Sequence, residues 1–176
     1  MNNIFQNVKF DVSYLKSYFA IFKDKTAANR KDGKRKVIEE ATEELVSSFG
    51  YIPSDIGDIF TTLKNHLQNN PEIFASAFAF LPEILCSCPV VLRDKNGFRK
   101  KDIAKDFMYA NAVWYDVPVK QRRPVWSAPY FDIGKAGEDI LLTSYSVPVF
   151  DSNSRLMGVL ISDLLLARLE DIKKIE

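Results

Sequence analysis

The second half of the chain carries aromatic residues whose types suit a pocket for a small organic molecule. Tyr and Trp combine a large apolar ring with one hydrogen-bonding group, so a cluster of them can both stack on a ligand and orient it. The members of this group are Tyr109, Trp114, Tyr115, Trp126, Tyr130 and Tyr145. Asp163 ends an apolar run, where an unpaired buried carboxylate would be costly, so it needs a cation, a backbone donor or a ligand ammonium. The pattern favours binding over catalysis.

Arg122 and Arg123 lie between two of the aromatic motifs. A guanidinium there could hold a ligand carboxylate through two parallel hydrogen bonds, a geometry that Lys cannot reproduce. A solvent-facing turn explains the same pair equally well, and both interpretations are open.

Catalytic and metal-binding patterns are missing from the sequence. His66 is the single histidine, without a second His or a Cys nearby, and we expect it to be a solvated side chain of a helix. No glycine-rich phosphate loop and no nucleophile elbow occurs. Cys86 and Cys88 are too few for a disulfide framework or a zinc site, and two thiols beside a turn explain them best. We predict no catalytic residue, no metal and no cofactor.

The overall charge argues against nucleic acid as a partner. The 176 residues carry 24 Lys and Arg against 23 Asp and Glu, a formal charge of +1, so no strong field attracts polyanions. No apolar run reaches the length of about 20 residues that spans a bilayer, and residues 1–10 lack the pattern of a secretory signal. The chain could equally be a segment of a longer membrane protein, so its compartment stays open at this level.

The first half of the chain reads as helical. An apolar stripe at spacings of three and four over residues 2–29 predicts a long amphipathic helix, which the polar cluster 29–33 interrupts. A second helix is predicted over residues 36–48. A third begins at Ser54 as N-cap and stops at Asn69-Asn70-Pro71.

The second half reads mainly as strands. Strands are predicted at 73–80, 90–92, 98–101, 140–150 and 156–164, with a hairpin turn at Asn96-Gly97. Residues 106–117 read as helical in part, and prolines at 118, 124 and 129 predict extended pieces after them. The leucines after Asp163 predict a C-terminal helix.

These motifs, in this order, resemble the ligand-binding module of Cache domains, the extracytoplasmic PAS-like sensors of chemoreceptors, histidine kinases and phosphatase-type regulators. The resemblance rests on segments 114–115, 126–132, 142–149 and 157–163, and it covers roughly the second half of the chain. It implies an α+β fold, with an antiparallel sheet of five to six strands between a long N-terminal helix and a C-terminal helix. Residues 1–52 would be a helical segment packed on the sheet, and residues 53–176 the sensor domain. The general appearance is similar to the periplasmic sensors of RsbU-type partner-switching phosphatases.

The resemblance also implies roles for individual residues. In amino-acid-binding members an arginine before the Trp-Tyr pair holds the ligand carboxylate, and Tyr130 and Asp163 would hold the ammonium. In this chain the arginine position is Ala112, and an upstream aromatic position is Phe107. A ligand carboxylate would then have to bind basic side chains of the neighbouring loop and nearby hydroxyls. This arrangement favours a small organic acid such as a dicarboxylate. The residues concerned are Lys120, Arg122, Arg123, Ser127 and Thr143.

The leading hypothesis is therefore a non-enzymatic periplasmic sensor of an inner-membrane protein, flanked by membrane helices. It would bind an organic acid or amino-acid-like metabolite and shift its terminal helices, while the parent protein could be a phosphatase or a kinase. The stripe over residues 4–22 could also pair with a second protomer. One alternative is a ligand-free PAS-like dimerisation or interaction module, whose own aromatics would fill the pocket. Another is a cytoplasmic enzyme with an unrecognised active site.

Overall fold

A computed structural model describes residues 25–49, 55–132 and 139–168, with side chains from residue 32 onward. Three α-helices lie in these ranges: α1 (Lys25–Ser48), α2 (Ile56–Asn69) and α3 (Val113–Gln121). Two 3₁₀ turns, Ile103–Lys105 and Tyr109–Asn111, precede α3. The strands are β1 (Ala75–Phe80), β2 (Pro89–Asp94), β3 (Gly97–Asp102), β4 (Val125–Trp126), β5 (Tyr130–Asp132), β6 (Ile140–Phe150) and β7 (Leu156–Arg168).

All seven strands form one antiparallel sheet in the order β3-β2-β1-β7-β6-β4, with β5 also paired to β6. The long pair β6 and β7 joins the two sides of the sheet. β1 pairs with β7 and is followed by β2 and β3, whereas β4 and β5 both pair with β6. The predicted α+β fold with an antiparallel sheet is confirmed, and the sheet has seven strands instead of five to six. The predicted hairpin turn over residues 94–97 is also confirmed: Asp94 pairs with Gly97 across a loop of Lys95 and Asn96, and Gly97 has a positive φ of 119°, which glycine adopts readily.

Each face of the sheet packs against a different layer. On one face, called here the helix face, α1 and α2 cover residues such as Phe78, Val147 and Leu160. On the opposite face, called the pocket face, α3 and the 3₁₀ turns cover Ala79, Val159 and their neighbours. Because side chains alternate along a strand, consecutive residues of β6 and β7 face different layers.

The prediction of a helix break at residues 29–33 is wrong, because α1 continues through Gly33. A glycine inside a helix costs about 1 kcal/mol relative to alanine. The buried side chains of Ile38 and Thr42, further along α1, offset that cost by packing on the sheet. The cap of α2 is Asp55, whose carboxylate accepts from the Gly57 N–H; the predicted Ser54 lies outside the described residues.

The prediction of a helix after Asp163 is wrong as far as residue 168, because β7 extends to Arg168 and pairs there with Ile140. The leucines alternate as in a strand: Leu164 belongs to the core under the helices, and Leu165 packs against a cluster on the other side. The long partner β6 supplies backbone hydrogen bonds for this whole stretch. Pro118 likewise lies inside α3 instead of breaking it. The stripe over residues 4–22 and the segment after 168 lie outside the described residues.

Candidate ligand site on the pocket face

Three polar side chains from adjacent strands form a hydrogen-bonded chain on the pocket face. Ser144 of β6 and Asp163 of β7 are directly paired across the sheet, and the Ser144 hydroxyl donates to Asp163 Oδ1 over 2.6 Å. The Tyr130 hydroxyl of β5 lies 2.8 Å from Ser144 Oγ. Because the Ser144 proton is directed to the carboxylate, Tyr130 is the donor in the second bond. The chain therefore points its hydrogen bonds toward the Asp163 carboxylate.

Burial controls the electrostatics of this chain. It raises the pKa of Asp163 to about 7, against the lowering effect of the Ser144 hydrogen bond and with a further increase from the charge of Asp132. Burial and the neighbouring Asp163 charge also raise the pKa of Tyr130 well above its usual value. Within the described ranges, no Lys, Arg or His forms an ion pair with Asp163. Asp163 is thus a partly buried acidic group that has no ion-pairing Lys, Arg or His among these residues.

A cavity of about 80 Å³ lies on the same face, between α3 and the strands β4 and β6. Its lining is mostly apolar: Val113, Trp114, Val117, Pro118, Val125, Trp126, Ser127, Ala128 and Ser146. Ser127 accepts a hydrogen bond from the Ser144 N–H over 3.0 Å, which connects the lining to the polar chain. Ser146 Oγ is buried and has no hydrogen-bond partner among the described residues.

Trp114 contributes to this cavity and its ring lies 6.4 Å from that of Phe107. Ala112 is the N-cap residue of α3, where the resemblance places an arginine. Tyr109 and Tyr115 are buried beside them, with ring centroids 5.3 Å apart, and both hydroxyls donate to the carbonyl of Phe80. Burial raises the pKa of Tyr115 to about 12 and that of Tyr109 further still. These two tyrosines brace the pocket face, and their hydroxyls are already used by the backbone.

The expected single aromatic wall is not formed, because Trp126 and Tyr145 lie on the helix face. The Trp126 indole N–H donates to Glu39 of α1 over 2.5 Å, and Arg35 lies over its ring at 5.0 Å. The Tyr145 hydroxyl donates to Glu43, one turn further along α1. The two rings contact each other at 5.2 Å. They join α1 to the sheet, and only part of Trp126 reaches the cavity lining.

Thr143 belongs to the same face as Tyr145 by strand alternation, and its hydroxyl donates to the Ser127 carbonyl over 2.8 Å. This bond positions the β4–β5 connection against β6. Thr143 therefore serves the shape of the site, and its hydroxyl is directed to the backbone.

The predicted arginine fork is not assembled at Asp163 or at the cavity. Arg122 ends α3 in the left-handed conformation, its guanidinium lies 4.5 Å over the Phe150 ring, and it donates to the Ser154 carbonyl. Arg123 is exposed and donates to the Pro124 carbonyl over 3.5 Å. Lys120 pairs with Asp116 at 2.7 Å. The solvent-facing turn is the interpretation that fits this geometry.

His66 is buried, so the expectation of a solvated imidazole is wrong. Its Nδ1 lies 3.4 Å from the Asn70 amide nitrogen, and its Nε2 lies 3.2 Å from Ser162 Oγ. With Nδ1 accepting from Asn70, Nε2 carries the proton and donates to Ser162. Ser162 in turn lies 2.8 Å from Thr42 Oγ1 of α1. Burial lowers the pKa of His66 to about 4, so the imidazole is neutral at pH 7.

Sequence reasoning did not identify Ser144, Ser146, Glu39 and Glu43 as members of these contacts. One usable signal was the alternation Ser-Tyr-Ser at 144–146 inside an apolar strand, since hydroxyls on one face of a buried strand need partners. The acidic residues of α1 carried no such signal, because exposed helix faces are ordinarily rich in charge.

The profile of a sensor family, described as the first PDC sensor domain of methyl-accepting chemotaxis protein-like proteins, matches residues 59–171. The chain belongs to this family. The match agrees with the Cache-like, PAS-like resemblance, while the RsbU-type assignment stays a prediction. No curated protein sequence matches the chain.

Several solved structures similar to this PDC domain are sensor domains of other proteins. The extracellular domain of soHK1S-Z6, described as a histidine kinase, is 27% identical with a TM-score of 0.70, over 90% of this chain and 65% of that one. The ligand-binding domain of the Campylobacter jejuni chemoreceptor Tlp3, in complex with L-valine, is 14% identical with a TM-score of 0.57, over 91% and 64%. The Pseudomonas aeruginosa amino acid chemoreceptor PctC, in complex with GABA, is 18% identical with a TM-score of 0.51, over 78% and 58%. The chain thus spans less than two thirds of each of these solved chains.

The described residues lack two further features. None of the helices in these ranges has the length and apolarity needed to cross a membrane. In the same part of the chain, no group of three or more His, Cys, Asp or Glu side chains is arranged to hold a metal ion.

Proposed function

We propose that this PDC domain is the extracytoplasmic sensor of a longer membrane signalling protein, and that it binds a small organic ammonium compound at Asp163. The observation that carries the proposal is the half-buried Asp163 carboxyl, which has a donor chain on one side and no ion-pairing cation among the described residues. A buried carboxylate is stabilised most by a cation that is buried with it and donates hydrogen bonds to it. A ligand ammonium has this chemistry.

The same observation argues against the dicarboxylate that the sequence favoured. A dianion would bring like charge to Asp163, while the basic side chains expected to receive it are engaged elsewhere. The absence of an arginine at Ala112 further reduces the means of holding a ligand carboxylate. We therefore infer an amine, or an amino-acid-like compound whose ammonium provides the main polar contact.

Signal output would pass through α1, which contacts the sheet on the opposite face. Thr42, Glu39 and Glu43 of α1 hydrogen-bond to β7, β4 and β6. Of these strands, β7 carries Asp163, and β4 and β6 border the cavity. A ligand that binds one arrangement of these strands more tightly shifts the equilibrium toward it, and α1 moves with the strands. The size of the shift is set by the difference in the ligand's affinity for the two arrangements. An output of chemoreceptor or kinase type is part of this proposal.

A ligand screen tests the proposal. Thermal unfolding of the domain is followed with GABA, L-valine and n-butylamine, each against succinate as an acid without an amine. A ligand at a hundredfold excess over its Kd adds about 2.7 kcal/mol to the free energy of unfolding. This corresponds to a rise in Tm of roughly 5–10 °C for a domain of this size. Asp163→Asn should remove the shift, whereas Glu44→Gln, an exposed carboxylate on α1, should keep it.

A second candidate, the ligand-free interaction module, is favoured by the size of the cavity. The cavity between α3, β4 and β6 has a volume of about 80 Å³, well below the roughly 300–1,000 Å³ of typical small-molecule sites. The same screen separates the two functions, since an interaction module gains no stability from any amine. Equal shifts in wild type and Asp163→Asn would also contradict the proposed site.

A further inference from the structure

The cavity beside the Asp163 site has a volume and lining that define what it can hold. Its volume is about 80 Å³, roughly half of an engineered cavity of 150 Å³ that accommodates benzene. By this comparison it has room for about three or four nonhydrogen atoms. The walls from α3 and β4 are apolar: Val113, Val117, Pro118 and Val125. A short aliphatic group fits such a space.

One polar atom of this lining is unsatisfied. Ser146 is almost fully buried, and its Oγ is the side-chain atom that finds no hydrogen-bond partner in the described part of the chain. Native structures rarely leave a buried hydroxyl without a partner, because it has lost its water and gained nothing in return. An apolar residue at this position would have packed better. The hydroxyl therefore marks a place where a polar group from outside the chain is expected.

Strand geometry places this hydroxyl at a defined distance from Asp163. Ser144 is paired with Asp163, and Ser146 is paired with Ile161, two residues along each strand and on the same face. Two residues of an antiparallel strand span about 7 Å. A compound that meets both Asp163 and Ser146 thus carries two polar groups joined by a chain of about two to four carbons.

We propose that the cavity at Ser146 is the tail subsite of the ligand pocket, and that it selects a short aliphatic amine with a terminal hydroxyl or carbonyl. This inference rests on the proposed function, since the ammonium is assigned to Asp163. The tail would lie against Val117 and Val125, and its terminal oxygen would exchange a hydrogen bond with Ser146. Selectivity then comes from the hydroxyl, because an all-carbon tail would leave Ser146 unsatisfied.

A matched pair of probes tests the subsite. 3-Amino-1-propanol and n-butylamine have the same number of nonhydrogen atoms and differ in a terminal hydroxyl against a methyl group. Their affinities are measured by calorimetry at pH 8 for wild type and for Ser146→Ala, which removes the hydroxyl with little change in volume. The control is Ser152→Ala in the exposed turn after β6. Circular dichroism confirms that the variants are folded.

Wild type and Ser152→Ala should bind 3-amino-1-propanol about tenfold more tightly than n-butylamine, and Ser146→Ala should lose or reverse this preference. Amine binding that depends on Asp163 but shows the same preference in Ser146→Ala would overturn the subsite and leave the proposed function intact. Failure of folded wild type to bind either amine would overturn the proposed function, and the subsite with it.

Discussion

Ser162 and Asp163 are consecutive residues of β7 whose side chains contact opposite layers of the molecule. Asp163 accepts a hydrogen bond from Ser144 on the pocket face, whereas Ser162 contacts Thr42 of α1 and His66 of α2 on the helix face. A displacement of β7 at the pocket would therefore also move the contacts that Ser162 makes with α1 and α2. This relationship connects a candidate ligand site with the element proposed to transmit its state.

Amine affinity should depend on pH through Asp163. Its pKa of about 7 means that the ligand-free carboxyl is largely protonated at pH 6, while simple alkyl amines stay cationic. An ammonium prefers the carboxylate, so the affinity for n-butylamine should fall about tenfold for each pH unit below 7 and level off above 8. Calorimetric titrations between pH 5.5 and 8.5 measure this. A flat profile would mean that the ammonium binds elsewhere.

Asp163 should also lower the stability of the ligand-free domain as the pH rises. The folded pKa of about 7 exceeds the usual value of 3.8, so the folded state holds the extra proton between about pH 4 and pH 7. The free energy of unfolding then decreases across this window. Asn resembles the protonated carboxyl, so Asp163→Asn should match wild type near pH 4 and exceed it by about 2–4 kcal/mol above pH 7. Urea unfolding at several pH values measures this difference, and a constant difference would contradict it.

His66 should have the opposite effect from Asp163: its contribution to the free energy of unfolding should increase as the pH rises. Burial lowers its pKa from 6.5 to about 4, so the unfolded state binds the proton first as the pH falls. The contribution is present above pH 6.5 and is lost by about pH 4, and it amounts to about 3 kcal/mol. His66→Gln keeps a neutral hydrogen-bonding group and removes the titration. The stability of wild type minus that of the variant should be constant above pH 6.5 and decrease below it; a difference independent of pH would contradict a buried neutral imidazole.

Two serines on the same strand and the same face should respond to alanine in opposite directions. Ser144 donates to Asp163, so Ser144→Ala should lower the free energy of unfolding by about 1–2 kcal/mol at pH 8. Ser146 has no partner within the described residues, so Ser146→Ala should raise it by about 1 kcal/mol. Denaturant unfolding at pH 8 measures both. Loss of stability in Ser146→Ala would show that its hydroxyl is satisfied after all.

The strands of the second half were predictable because their residues alternate or form apolar runs between turn signals, and the Asn96-Gly97 turn gave a local marker. The extension of β7 past Asp163 was not predictable, because Leu164, Leu165 and Leu166 suit either a helix or a strand. Only pairing with β6, a contact distant in sequence, decides between them.

The site was predictable in its residue types more than in its arrangement. Asp163 and Tyr130, both chosen from their residue types, belong to one hydrogen-bonded chain, but the residue that joins them is Ser144, which was not predicted. The sequence did not predict that Trp126 and Trp114 lie on opposite faces of the sheet, because the face on which a strand residue lies depends on strand register. The partners of Trp126 and Tyr145 are glutamates of α1, about a hundred residues away in sequence.

Gly158 should tolerate no side chain, because β1 approaches β7 closely at this point. A Cβ on Gly158 would lie 2.4 Å from the Ala79 carbonyl oxygen and 3.0 Å from Phe80 Cα, both of which are backbone atoms. Relief requires that β1 move away from β7, which breaks the pairing of Gly158 with Phe80 and disturbs the buried strand. Gly158→Ala should therefore lower the free energy of unfolding by about 3 kcal/mol or more.

Gly33→Ala is the matched control, because nothing lies within 4 Å of its added Cβ and alanine suits α1. This substitution should raise the free energy of unfolding by about 0.5–1 kcal/mol. Equal effects of the two substitutions in urea unfolding would contradict the close contact between β1 and β7.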